Sequence, residues 1–294
     1  MTTQQLIYET AIPVSNARHA KGYVEIMKNY AFARHVNSLP LMAVEFPEAT
    51  QDYVIVFAGT PENTMPMVIL GARQDENLYL NSEGGWQAGY IPAFIRRYPF
   101  VFSGSADGKT FTLCVDEAYL GVNFQGRGQA LFGEDGKPSP YTDNVLKFLQ
   151  EYRAQFMRTE VFCKKLRDLD LLEPMQAEFT LGSGEKTALG GFLVVNRTRL
   201  KALSAEKLAE LAQTDELELI YLHLQSMRNF NVVKDRLVLI QGSKTAQAAA
   251  ATSNPGASES TADAIAPDDA SNRVAPESTS KAAAGRSTKR ATAE

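Results

Sequence analysis

The chain has no long hydrophobic run, few cysteines, few histidines and no basic excess, and each shortage excludes a class of protein. Its longest apolar stretches, such as Val54-Ile55-Val56-Phe57-Ala58, are strand-sized. A helix that crosses a bilayer needs about 20 apolar residues, so no membrane span is expected. The opening residues Met1-Thr2-Thr3-Gln4-Gln5-Leu6-Ile7-Tyr8-Glu9 carry neither a basic nor an apolar signal segment, so a cleaved secretory signal is not expected. The 2 cysteines, Cys114 and Cys163, form no CxxC and no metal-ligand spacing. These features point to a soluble protein in the reducing cytoplasm. The formal net charge is -4. Nucleic-acid binding requires a concentrated basic face that displaces counterions; Arg96-Arg97 and Lys164-Lys165 are isolated pairs, so nucleic acid is excluded as a partner.

What is present is an ordinary globular composition, 44% hydrophobic and 22% charged, enough for a substantial core. The composition changes after Ile240. From Ser243 to Glu294 the chain is rich in Ala, Ser and Thr, has no aromatic residue, and has Ile265 and Val274 as its branched aliphatics. Such a segment buries too little apolar surface to offset chain entropy. The expected organisation is a folded domain over 1–240 and a disordered tail over 241–294, with Arg286-Ser287-Thr288-Lys289-Arg290 as a weak anionic docking candidate beside the blander reading of a solvated tail.

Pro13, Pro40 and Pro47 break up residues 1–50 into loops and short extended pieces. Asp52–Gly59 and Met65–Ala72 read as buried strands, and Leu78–Leu80 and Trp86–Tyr90 flank a second hairpin loop. Phe100–Phe102 and Thr110–Val115 flank Asp107-Gly108, whose residues tolerate positive φ. A long helix is expected from Pro140 or Thr142 to Leu172, with Val145, Leu149, Tyr152, Phe156, Cys163 and Leu166 as its apolar stripe and Pro174 as its stop. Met175, Ala177, Phe179 and Leu181 alternate as a half-buried strand; Gly182–Glu185 make the turn, and Gly190-Gly191 suggests a bulge. Ser204 and Thr214 read as caps of two further helices. Segregated strands and helices define an α+β fold: mostly antiparallel sheet built from hairpins, one long helix and C-terminal helices.

Candidate chemistry is sparse. The 3 histidines are His19, His35 and His223. His19 and His35 could approach Glu45 or Glu48, yet the spacing demands no metal site; no metal and no cofactor is expected. His223, on a stripe with Ile220 and Met227, reads as a hydrogen-bonded histidine at the core edge. Asp116, Glu117, Glu173 and Glu178 sit near strand ends. Paired carboxylates there could do acid–base work if burial separated their pKa values; solvent-facing or capping roles are the commoner outcome. Arg96-Arg97-Tyr98, inside an aromatic run, is the main ligand candidate, because two guanidiniums can clamp an anion bidentately. They could instead pair internally with Asp116, Glu117 or Glu178, and Gln176 completes the candidate set. Gly126-Arg127-Gly128 opens like a phosphate loop but lacks the third glycine and any GKS or GKT.

Val44-Glu45-Phe46-Pro47, Tyr90-Ile91-Pro92-Ala93-Phe94-Ile95-Arg96-Arg97-Tyr98-Pro99-Phe100 and Cys114-Val115-Asp116-Glu117 carry a resemblance. So do Leu171-Leu172-Glu173-Pro174-Met175-Gln176, Leu189-Gly190-Gly191-Phe192 and Ile220-Tyr221-Leu222-His223-Leu224. Together they make residues 5–237 similar to the bacterial SapC family. The resemblance implies an association with paracrystalline surface layers, from which the family label comes. Relatives of this kind often accompany outer-membrane nutrient receptors and flavin-dependent halogenase-like proteins, and no catalytic residues carry over. Three functions stand as expectations. One is a non-catalytic accessory protein that binds a protein partner or a small acidic ligand. The second is a surface-layer-associated structural protein, and the third an enzyme built on the carboxylates at 116–117 and 173–178.

Overall fold

The computed structural model describes residues 6–60, 62–105, 108–180, 184 and 186–252, with side chains through residue 240. The chain divides into two compact units, Met1–Ala250 and Ala251–Glu294. Beyond Thr252 the second lies outside the described residues, and so does the expected tail from residue 253 onward. Residues 106–107 and 181–183 and 185, in the two expected hairpin turns, also lie outside.

The strands are β1 (Ala11–Pro13), β2 (Tyr23–Val24), β3 (Ser38–Pro40), β4 (Val54–Gly59), β5 (Thr64–Ile69), β6 (Phe100–Gly104), β7 (Phe111–Asp116), β8 (Val122–Asn123), β9 (Gln129–Ala130), β10 (Leu172–Thr180) and β11 (Lys186–Val195). The helices are α1 (Asn16–His19), α2 (Phe46–Ala49), α3 (Ala93–Arg96), α4 (Pro140–Asp168), α5 (Arg197–Lys201), α6 (Ala205–Gln213), α7 (Glu216–Ser226) and α8 (Phe230–Thr252). Among the described residues these strands form three antiparallel sheets: β1-β7-β6, β10-β11-β4-β5-β3 and the small β8-β2-β9. The fold is α+β, with strands supplied by hairpins and one long helix, α4, packed against β5 and β6.

Local chemistry explains the placement of α4. Pro140 occupies its first turn, where a missing N–H costs nothing. Ser139 caps it: the Oγ accepts from the Thr142 N–H at 3.2 Å and donates to the Ala130 carbonyl at 2.5 Å. Leu149, Tyr152, Cys163 and Leu166 are buried on its inner face, as the stripe predicts. Thr159 pins the middle of the helix, accepting from the Ala43 N–H at 2.9 Å. The helix ends at Asp168, four residues before the expected Leu172. Asp170 takes a left-handed conformation, φ 51, which turns the chain into β10, so Pro174 lies inside a strand rather than stopping a helix.

Other departures have similarly local causes. Residues 86–90 form no strand; a single bridge joins Leu80 to Trp86. Opposite Gln176, β11 carries both Gly190 and Gly191, a bulge between the pairs Met175↔Phe192 and Ala177↔Leu189. Gly191 has φ 83, affordable to glycine because it lacks a Cβ. The bulge breaks the inward alternation, so Ala177 and Phe179 are buried while Met175 is 36% exposed. Ser204 caps α6, accepting from the Lys207 N–H. Thr214 instead closes that helix by donating to the Glu210 carbonyl at 3.1 Å, and Asp215, at φ 58, precedes α7. The backbone of α8 continues past the expected boundary at 240, with Val233 and Leu237 buried.

The largest sheet has a joint made by a side chain. Leu193 pairs with Phe57, which places Val195 opposite Ile55. The imidazole of His223, fully buried, lies between them: Nε2 accepts from the Val195 N–H at 3.0 Å and Nδ1 donates to the Ile55 carbonyl at 2.8 Å. It takes the place of the direct ladder hydrogen bond. Ser226 completes the joint, accepting from the Ile55 N–H at 3.0 Å. Asn229 donates to the carbonyls of Thr50 and Tyr53. Burial pushes the His223 pKa down to about 4, consistent with one fixed neutral tautomer.

Candidate functional site

Arg96, Arg97 and Tyr98 leave α3 in three directions. Arg97 is buried, its guanidinium carbon 4.2 Å from the Phe94 ring centre and 4.8 Å from that of Tyr152. A desolvated cation over aromatic faces gains about 2 kcal/mol per favourable contact. Arg96 is exposed and bound locally. Its Nε donates to the Ile91 carbonyl at 3.0 Å and its Nη2 to the Tyr90 hydroxyl at 3.2 Å. That hydroxyl donates in turn to buried Glu45 at 2.7 Å, which also accepts from the N–H groups of Ala93 and Met42. Glu45 is therefore a structural acceptor for these three donors. Tyr98 stacks on Phe32 at 4.0 Å and donates to Asp116 at 3.3 Å; burial first, then the Asp116 charge, pushes its pKa up.

The four candidate carboxylates are held separately. Asp116, fully buried, accepts from the N–H groups of Glu9, Thr10 and Ala118 and from Tyr98, fastening the N-terminal segment to β7. Glu117 forms a bidentate pair with Arg18, both contacts 2.6 Å. It also accepts from buried His19 at 3.1 Å, whose Nδ1 accepts from the Ser15 N–H. The Arg18 hydrogen bonds pull the Glu117 pKa down. Glu173 accepts from Asn196 at 2.5 Å. Gln176 and Glu178 are exposed on β10, a strand of the other large sheet. His35 is exposed. Among the described residues no three His, Cys, Asp or Glu side chains group as metal ligands would.

One of the eight candidates, Arg97, reaches a sizeable cavity. This cleft, about 650 Å³, lies between the β1-β7-β6 sheet and α4. Pro13, Val101, Phe102, Leu149 and Phe156 give it apolar walls, and Arg97 with Tyr152 closes its inner end. Exposed Arg153, Met157 and Glu160 stand at its mouth. The Arg153 guanidinium lies 3.5 Å from the Phe111 ring centre. Its ring-facing side is thus fixed, while its N–H edges have no hydrogen-bond or ion-pair partner among the described residues. Burial raises the thiol of Cys114 and the hydroxyl of Tyr152, so both stay protonated near neutrality. Neither offers a ready nucleophile. Burial likewise holds the Cys163 thiol, in the core, up to about 12.

Arg153 escaped the sequence reading because its ring partner, Phe111, comes from a distant hairpin. The available signal was its place beside the apolar stripe, next to Tyr152 and between Leu149 and Phe156. Arg96 lines a separate cavity of about 260 Å³ with Glu45, Phe148 and Glu151.

Fold and site define an α+β protein with an apolar cleft, arginines at both its inner end and its mouth. The chain belongs to the SapC family: the family model described as SapC matches residues 14–233. No curated protein and no solved structure matches it. Among the described residues no helix is long and apolar enough to cross a membrane.

Proposed function

We propose that this SapC protein is a non-catalytic binding protein, acting in the cytoplasm, whose cleft takes a small acidic molecule with an apolar body. The supporting observation is Arg153: a guanidinium flattened on Phe111, its donors uncommitted, at the mouth of an apolar cleft. Clefts of about 300–1,000 Å³ with apolar walls and few polar groups suit small ligands. A guanidinium offers parallel N–H donors that match a carboxylate. The apolar body runs from there over Phe156 and Met157, opposite Phe102 of the sheet, and buried Arg97 adds positive potential from the inner end.

The separate tethering of Asp116, Glu117 and Glu173 supports binding over carboxylate catalysis. Photolabelling with a diazirine-bearing decanoate tests the location. Label within 101–114 and 149–160, competed by plain decanoate, is the expected result. Label concentrated on the β10–β11 hairpin, or none that decanoate competes, overturns the reading.

A further inference from the structure

The cleft is electrically asymmetric, and that asymmetry predicts which acids it accepts. Arg153 and Glu160 both stand at its mouth on α4. They stand seven positions apart, about 10 Å along the helix axis at 1.5 Å per residue. Phe156 and Met157 fill the interval. The Glu160 side chain makes no hydrogen bond or ion pair among the described residues. A ligand lying along the helix with its acidic group at Arg153 therefore runs its body over Phe156 and Met157 and ends at a carboxylate.

We infer that Glu160 is a specificity-determining residue, restricting the cleft to acids with a single anionic head and rejecting those with an anion at each end. This rests on the binding function proposed above. An acid with one head places an uncharged end near Glu160 at little cost. A second carboxylate there meets a like charge, a repulsion of about 1 kcal/mol at 4 Å in water. Arg97 does not rescue the second anion, since it closes the inner end rather than the stretch of α4 at Glu160.

Decanoate and sebacate, the same carbon chain with one and two terminal carboxylates, are the probes. Their affinities for the full chain and for Glu160→Gln are measured by calorimetry. Glu160 is exposed and its side chain makes no hydrogen bond among the described residues, so the variant keeps the fold, which circular dichroism verifies. Decanoate is expected to bind the native chain about tenfold or more tightly than sebacate. Glu160→Gln should shrink that ratio several-fold, mainly by improving sebacate. A ratio unchanged by Glu160→Gln overturns the role of Glu160, because the discrimination then comes from desolvating the second carboxylate. Equal binding of the two acids by the native chain overturns it too. If neither acid binds, the underlying binding function fails instead.

Discussion

Acidification is expected to loosen the largest sheet at one residue, His223. In the folded protein its Nε2 accepts from the Val195 N–H and its Nδ1 donates to the Ile55 carbonyl. A proton on Nε2 would set two donors face to face in a buried site. The folded pKa, lowered from 6.5 to about 4 by burial, expresses that conflict. The unfolded chain takes up the proton first, so the contribution of His223 is fully present above pH 6.5. It is lost as pH falls from 6.5 toward 4 and does not change further below that. At about 1.4 kcal/mol per unit, the total loss is about 3 kcal/mol, with about 2 kcal/mol gone by pH 5. Urea denaturation across this range, for the native chain and His223→Gln, isolates the effect, because the other titrating groups cancel in the difference. Should the variant not fold, nitrogen chemical shifts of the His223 ring in the native protein give the same answer through its pKa. A stability difference that stays flat between pH 7 and 4, or a ring that titrates near 6.5, would refute the reasoning.

Four further outcomes follow from named contacts. Asp116→Ala leaves three backbone N–H groups and the Tyr98 hydroxyl without their acceptor; a loss of about 3–5 kcal/mol is expected, with faster hydrogen exchange at residues 8–14. Ser139→Ala should cost more than Ser204→Ala in thermal unfolding, about 2 against about 1 kcal/mol, because Ser139 also satisfies the Ala130 carbonyl. Gly191→Ala should cost about 1 kcal/mol, since its φ of 83 is strained for alanine but a Cβ meets nothing within 4 Å. Gly128→Ala should cost clearly more in the same denaturation assay, because its Cβ would come within 2.3 Å of the Val24 carbonyl oxygen.

The hairpins were legible because alternation and turn residues are local signals. β4 with β5, and β6 with β7, pair where those signals predict. The stripe on α4 was legible for the same reason. Boundaries set by backbone conformation were not: Asp170 and Asp215 adopt positive φ that nothing in their immediate sequence demands. The buried, hydrogen-bonded state of His223 was readable from its apolar stripe, but its place in the β4–β11 ladder was not. The Arg-Arg-Tyr cluster pointed toward the cleft through Arg97 alone. Arg96 and Tyr98 are instead absorbed by Tyr90 and Asp116. The segment Glu173–Glu178 belongs to a different sheet. Arg153 and Phe111 meet through tertiary packing, and no sequence spacing links them.

Calorimetric titration of decanoate into the native chain and into Arg153→Met tests the binding function most directly. Methionine keeps apolar bulk over Phe111 and removes the guanidinium. A charge-assisted pair contributes about 1.5–3 kcal/mol, so affinity is expected to fall by about ten- to a hundred-fold with the thermal stability of the protein little changed. Equal affinity in the two proteins would contradict the proposal that Arg153 holds the ligand's acidic group at the mouth of the cleft.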